Sequence, residues 1–150
     1  MIQPPPRDSD NKVIPHDHAE ISDTNEVIRR ISNLQITKDS NGRLRISSIA
    51  YKASSGKNEG MSIDLKQLIE EDGIDARVHV TTPRWMGSVL FRVSDLRNME
   101  FQVGYDPIEP PKPDPNPYHG QVWGRFSHSQ TRRLQRLAIW FVQIPGVNLT

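Results

Sequence analysis

The sequence predicts an α+β fold: one antiparallel or mixed sheet of about four to six strands with two main helices packed on it. Three observations point there. Short runs with apolar residues at every second position recur along the chain, including Val89, Phe91 and Val93, and Phe101, Val103 and Tyr105, as half-buried strands require. Two stretches, 62–72 and 130–143, instead space their apolar residues at helical intervals. A length of 150 residues is enough for one domain with a real core.

Residues 1–21 carry Pro4-Pro5-Pro6 and scattered charges without periodicity, so they read as an extended or disordered arm preceding a single domain at 22–150. His16-Asp17-His18 within the arm offers two metal ligands and no third, so no metal site is predicted. Asp23-Thr24-Asn25-Glu26 has the form of a capping box, and Val27, Ile28 and Ile31 could then share one helical face. Arg29 and Arg30 fall outside that face. They are expected in solvent, although arginine beside a buried strand is also a way of holding pyrophosphate.

Asn41-Gly42 marks a hairpin turn between strands at 34–37 and 44–51. Ser54 to Gly60 is a flexible loop. Ser62 is placed to cap a helix that Gly73 closes. Strands are expected at 76–82 and 100–105, a strand or a buried short helix at 88–93, and a helical turn or connector at 94–98. Trp85 lies in the loop 83–87, as a cover over the core or as a contact residue. Six prolines between Pro107 and Pro117 make a stiff strap. A glycine-flanked strand at 118–126 leads into the last helix, where Leu134, Leu137 and Phe141 should face the sheet, with Trp140 at the edge of that stripe.

The net charge of +1 conceals an asymmetry: five acids against two bases give residues 1–24 a charge of −3, and the last 36 residues carry four arginines and no acid. With no cysteine, disulfides, thiolate metal sites and cysteine nucleophiles are excluded. No apolar run reaches the roughly 20 residues of a membrane span, and the first residues lack the apolar core of a signal peptide. The chain therefore reads as cytoplasmic, with no membrane partner and no cofactor.

The candidate binding surface joins Tyr118, His119 and Trp123 of Asn116-Pro117-Tyr118-His119-Gly120-Gln121-Val122-Trp123-Gly124 to Arg125, Arg132, Arg133 and Arg136. Basic and aromatic side chains in that pattern suit an acidic protein partner, which makes the chain an interaction or accessory protein. The same surface would suit nucleic acid, with arginines on phosphates and aromatics stacked on bases. A third reading is a small enzyme or toxin acting on a nucleotide or phosphorylated substrate, with His119 as acid or base and Arg45 and Ser62 as companions.

Two resemblances bear on these readings. Arg45 to Tyr51, Met61 to Leu65 and Asn116 to His119, ahead of a basic helix, resemble a group of small bacterial proteins without an assigned activity, which implies a bacterial source and nothing about chemistry. The order Arg30 or Arg45, Ser62, then His119 or Gln121 is similar to the pattern of ADP-ribosyltransferases. That resemblance implies NAD-consuming chemistry, but the glutamate of the pattern is missing from the last strand.

Overall fold

The computed structural model describes residues 2–150. Eight strands and four short helices form a mixed α+β fold. Six strands make one antiparallel sheet: β1 (Glu26–Ser32), β4 (Met61–Leu65), β5 (Trp85–Arg92), β6 (Gln102–Tyr105), β7 (His119–Trp123) and β8 (Ile139–Val142), in the order β6-β7-β4-β1-β5-β8. β2 (Ile36–Lys38) and β3 (Leu44–Ile46) form a separate hairpin around the Asn41-Gly42 turn. The helices are α1 (Lys66–Glu71), α2 (Ala76–Val80), α3 (Val93–Asn98) and α4 (His128–Leu137).

Four assignments made from the sequence are overturned. The segment after Asp23 is β1, not a helix. Val27 and Ile28 are both fully buried yet belong to different core clusters, because the sheet is covered on both faces and successive strand residues point to opposite sides. A strand buried on both faces shows no alternation, so Val27, Ile28 and Ile31 fit a helix equally well on paper.

Ser62 lies within β4 rather than capping a helix, and α1 starts only at Lys66. Gly73, at φ +71, does close it. Residues 76–80 are helical because the Asp75 carboxylate accepts from Arg77 N and Val78 N, a cap worth about 1 kcal/mol. Val78 consequently stands exposed.

The last helix ends at Leu137, and Ile139–Val142 turns back as edge strand β8 against β5. Its apolar run is rich in aromatic and β-branched residues, which favour a strand. Leu134 is buried as expected, whereas Leu137 is 37% exposed and Phe141 packs from β8 instead. Leu134 and Ala138 join the larger core with Val27, Ile31, Val89 and Phe91. On the opposite face Ile28 and Leu90 pack with Ile69, Ala76, Val80, Tyr118 and Phe141.

Residues of the N-terminal arm lie along the far edge of the sheet. His18 N donates to the Val103 carbonyl, and the Asp17 carboxylate accepts from Val103 N at 3.0 Å. Arg97 clamps the same stretch through Asp17, Asp23 and the His18 carbonyl. Val13, His18 and Ile21 are buried. No helix is long and apolar enough to cross a membrane among the described residues.

Candidate functional site

The site follows from a gap in the sheet. β1 is registered with β5 at seven positions, from Glu26 to Ser32, but with β4 at only two, Val27–Leu65 and Ile28–Asp64. Beyond Ile28 the two central strands part, while β4 stays paired with β7 from Met61 to Asp64. A cleft of about 770 Å³ opens there, within the usual range for small-molecule sites. It is lined from β1, β4, β7, α2, the start of β5 and the proline strap.

Arg29 and Arg30 both line this cleft, but as successive residues of β1 they leave the strand toward opposite faces and meet different fates. The Arg30 guanidinium grips Asp64 with two parallel bonds, Nε to Oδ2 at 2.8 Å and Nη2 to Oδ1 at 3.0 Å. Asn116 Nδ2 also donates to Asp64 Oδ1, at 2.6 Å. Asn116 Oδ1 in turn accepts from Tyr118 N and from His79 Nε2 at 3.3 Å. The chain Arg30–Asp64–Asn116–His79 thus satisfies the buried carboxylate, which is 3% exposed, and leaves it no unmet charge.

Arg29 has no carboxylate partner among the described residues. Nε donates to the Ala50 carbonyl and Nη1 to the Ser62 carbonyl, both at 2.9 Å, so the side chain bridges the strand gap. Two of a guanidinium's five N–H donors are used that way. Burial lowers its pKa to about 10, which still leaves it charged at neutral pH. Holding that charge unmatched costs on the order of 3 kcal/mol.

Two orphan hydroxyls flank the pair. Tyr51 Oη and Ser88 Oγ are fully buried without a hydrogen-bond partner among the described residues. Tyr51 lies close enough to Arg29 for its charge to be felt, although burial dominates and pushes the phenol's pKa up. Ser88 stands directly across from Arg30 in the β1–β5 register.

His119 lines the same cleft. Its Nδ1 lies 2.6 Å from the Asp106 carbonyl. A carbonyl only accepts, so Nδ1 carries the proton and a neutral ring keeps its lone pair on Nε2. The Asp106 carboxylate is 3.9 Å away. It accepts from Gln121 Nε2, while Gln121 Oε1 accepts from Gly60 N.

The remaining sequence-derived candidates divide. Ser62 lines the cleft between Arg30 and His119, on the strand that separates theirs, and Arg45 does not. Arg45 sits in β3, its Nη1 directed to the Ile46 carbonyl. Gln121 is a buried brace. Tyr118 and Trp123, expected as contact residues, are instead interior. Tyr118 is 7% exposed with its hydroxyl on Asp72 at 2.6 Å, and Trp123 is 4% exposed with Nε1 on the Asn58 carbonyl at 2.8 Å. Aromatics that fill the core cannot stack on a base. Arg125, Arg132, Arg133 and Arg136 are exposed, and none forms an ion pair among the described residues.

Several site residues were not singled out from the sequence: Asp64, His79 and Arg84. The available signal was two arginines set inside the apolar run Val27 to Ile31, where a charge needs either a partner or a purpose. No family model, curated protein or solved structure matches the chain.

Proposed function

We propose that the cleft binds a phosphate-bearing small molecule and that His119 moves a proton on it, making the protein a small enzyme. The carrying observation is the Arg29 guanidinium, charged, largely buried and without a carboxylate. A bound anion would supply the missing partner, and charge-assisted hydrogen bonds of this kind are about twice as strong as neutral ones. Arg84 adds a second cation at the mouth. The chemistry open to His119 is general acid–base catalysis, with Asp106 fixing the tautomer. Ser62 and His119, on neighbouring strands, also line the cleft, as do Asp114 of the strap and the Arg30-paired Asp64.

Thermal unfolding in inorganic pyrophosphate tests the binding. The wild type should gain stability with ligand concentration in the way mass action requires, and Arg29→Gln should not. A wild type indifferent to millimolar pyrophosphate, phosphate and sulfate sinks the reading. Once a turned-over substrate is known, His119→Asn should retain binding and lose kcat by about 10²–10⁴.

A second reading rests on α4. Four arginines exposed without ion pairs on and just before one helix form a basic face suited to an acidic protein partner. Reversing Arg132 and Arg136 to glutamate should abolish capture of that partner and leave pyrophosphate binding in the cleft unchanged.

A further inference from the structure

We propose that the cleft takes a nucleotide, its phosphate on Arg29 and its base against Trp85; this rests on the anion reading above and adds a ring-binding subsite to it. Trp85 opens β5 and is only partly buried. It belongs to neither hydrophobic cluster of the protein, so its ring is not needed to fill the core. It lines the cleft together with Arg84, whose guanidinium lies 4.9 Å from the ring centre. A tryptophan face with a planar cation above it is the arrangement on which a nucleobase stacks: every base has a π-face, and arginine adds a cation–π contribution.

The spacing suits one molecule. Trp85 is registered with Ser32, three residues along β1 from Arg29, which is roughly 10 Å of strand. Arg29 turns across the gap to the Ala50 and Ser62 carbonyls instead of along the strand, so that interval separates the two ends of the cleft on the scale of a nucleoside phosphate. Gln35 and Ser54 also line the cleft. Gln35 uses its Oε1 to accept from Ser32 N, which leaves its amide N–H groups as donors for a sugar. A bare anion would occupy only the deep end, and a plain aromatic would leave Arg29 unmatched. The ligand that uses both ends carries a phosphate and a flat ring.

The test is a calorimetric titration of the full chain with AMP, GMP, CMP and UMP, and with ribose 5-phosphate and adenosine as half-ligands. In the wild type at least one nucleotide should bind tenfold or more tightly than ribose 5-phosphate, on the scale of stacking one base. Trp85→Leu should erase that preference and leave ribose 5-phosphate affinity within about twofold, and Trp85→Phe should keep most of it. Nucleotides binding no better than ribose 5-phosphate, or a preference that survives Trp85→Leu, would overturn the ring subsite and leave the anion site standing. Failure of every phosphate to bind would remove both.

Discussion

The two sides of β1 are built on opposite principles. Toward β5 it is zipped along its whole length, seven registered pairs with Val89 and Phe91 fully buried beside Val27 and Ile31. Toward β4 it is joined at two positions and then open. Arg30 and Arg29 show the same contrast within two residues. One charge is matched by a carboxylate that is itself bonded by Asn116; the other bridges two carbonyls and stays electrostatically unmatched. The closed side holds the fold together, whereas the open side carries the unmatched charge on which the anion proposal rests.

That contrast can be broken first at Arg30. Arg30→Met leaves Asp64 charged and buried without its partner, a situation that costs roughly 3–5 kcal/mol. The midpoint of thermal unfolding should fall by about 10 °C or more. A loss below about 1 kcal/mol would show that Asn116 alone suffices for Asp64.

Next in size is Gly120→Ala in β7. An added Cβ would lie 2.6 Å from the Gly104 carbonyl oxygen and 2.9 Å from Ile63 Cδ1, and backbone cannot yield as a side chain can. Overpacking of this sort costs about 1–3 kcal/mol, measurable by urea unfolding, and β6 should loosen first in hydrogen exchange.

Arg29→Met is the sharpening experiment. It removes an unmatched charge, which stabilises the ligand-free chain, and strands the Ala50 and Ser62 carbonyls, which destabilises it by a comparable amount. Net stability should stay within about 1 kcal/mol of wild type, while pyrophosphate affinity falls at least tenfold. A loss as large as that of Arg30→Met would make Arg29 a structural residue like its neighbour.

The smallest effect is set by pH at the N-terminal arm. Burial, reinforced by His16, lowers the His18 pKa, against the opposing pull of Glu20 and Asp17. His16 Nε2 lies 3.3 Å from His18 Nδ1, Tyr105 packs edge-on to the His18 ring, and Arg97 holds its carbonyl. A histidine whose pKa is depressed in the folded state favours folding above its unfolded value near 6.5. That contribution is lost as pH falls through the lower folded value. Stability should therefore drop between neutrality and mild acid, and His18→Gln should flatten the slope. An unchanged slope would mean that His18 is not the group responsible.

Much of the fold was legible where one face of an element meets solvent or where a cap is written locally. β6, the β2–β3 turn and the Gly73 stop are of that kind, whereas β5 is buried on both faces at 87–91 and reads as a strand or a short buried helix. β1 was not legible, because burial on both faces erases the alternation by which a strand is recognised. α2 was missed because its signal is a single capping residue, Asp75, beneath a run that alternates like a strand. Of the site, His119 and Ser62 were candidates from residue chemistry, whereas Arg29 and Arg30, expected in solvent, line the cleft instead. Their convergence could not be read, since it depends on β4 lying between β7 and β1. Tyr118 and Trp123 misled for a related reason: a glycine-flanked aromatic reads as a surface contact until its neighbours in the sheet are known.

The central claim is that Arg29 keeps an unmatched charge for an anion. The Nε–H resonance of Arg29 in an arginine-labelled ¹H–¹⁵N spectrum tests it most directly, since that proton donates to the Ala50 carbonyl. Titration with pyrophosphate should shift it saturably at concentrations that leave the Arg132, Arg133 and Arg136 signals in place. An Arg29 signal that stays fixed while those exposed arginines move would contradict the account and place anion binding on α4 instead.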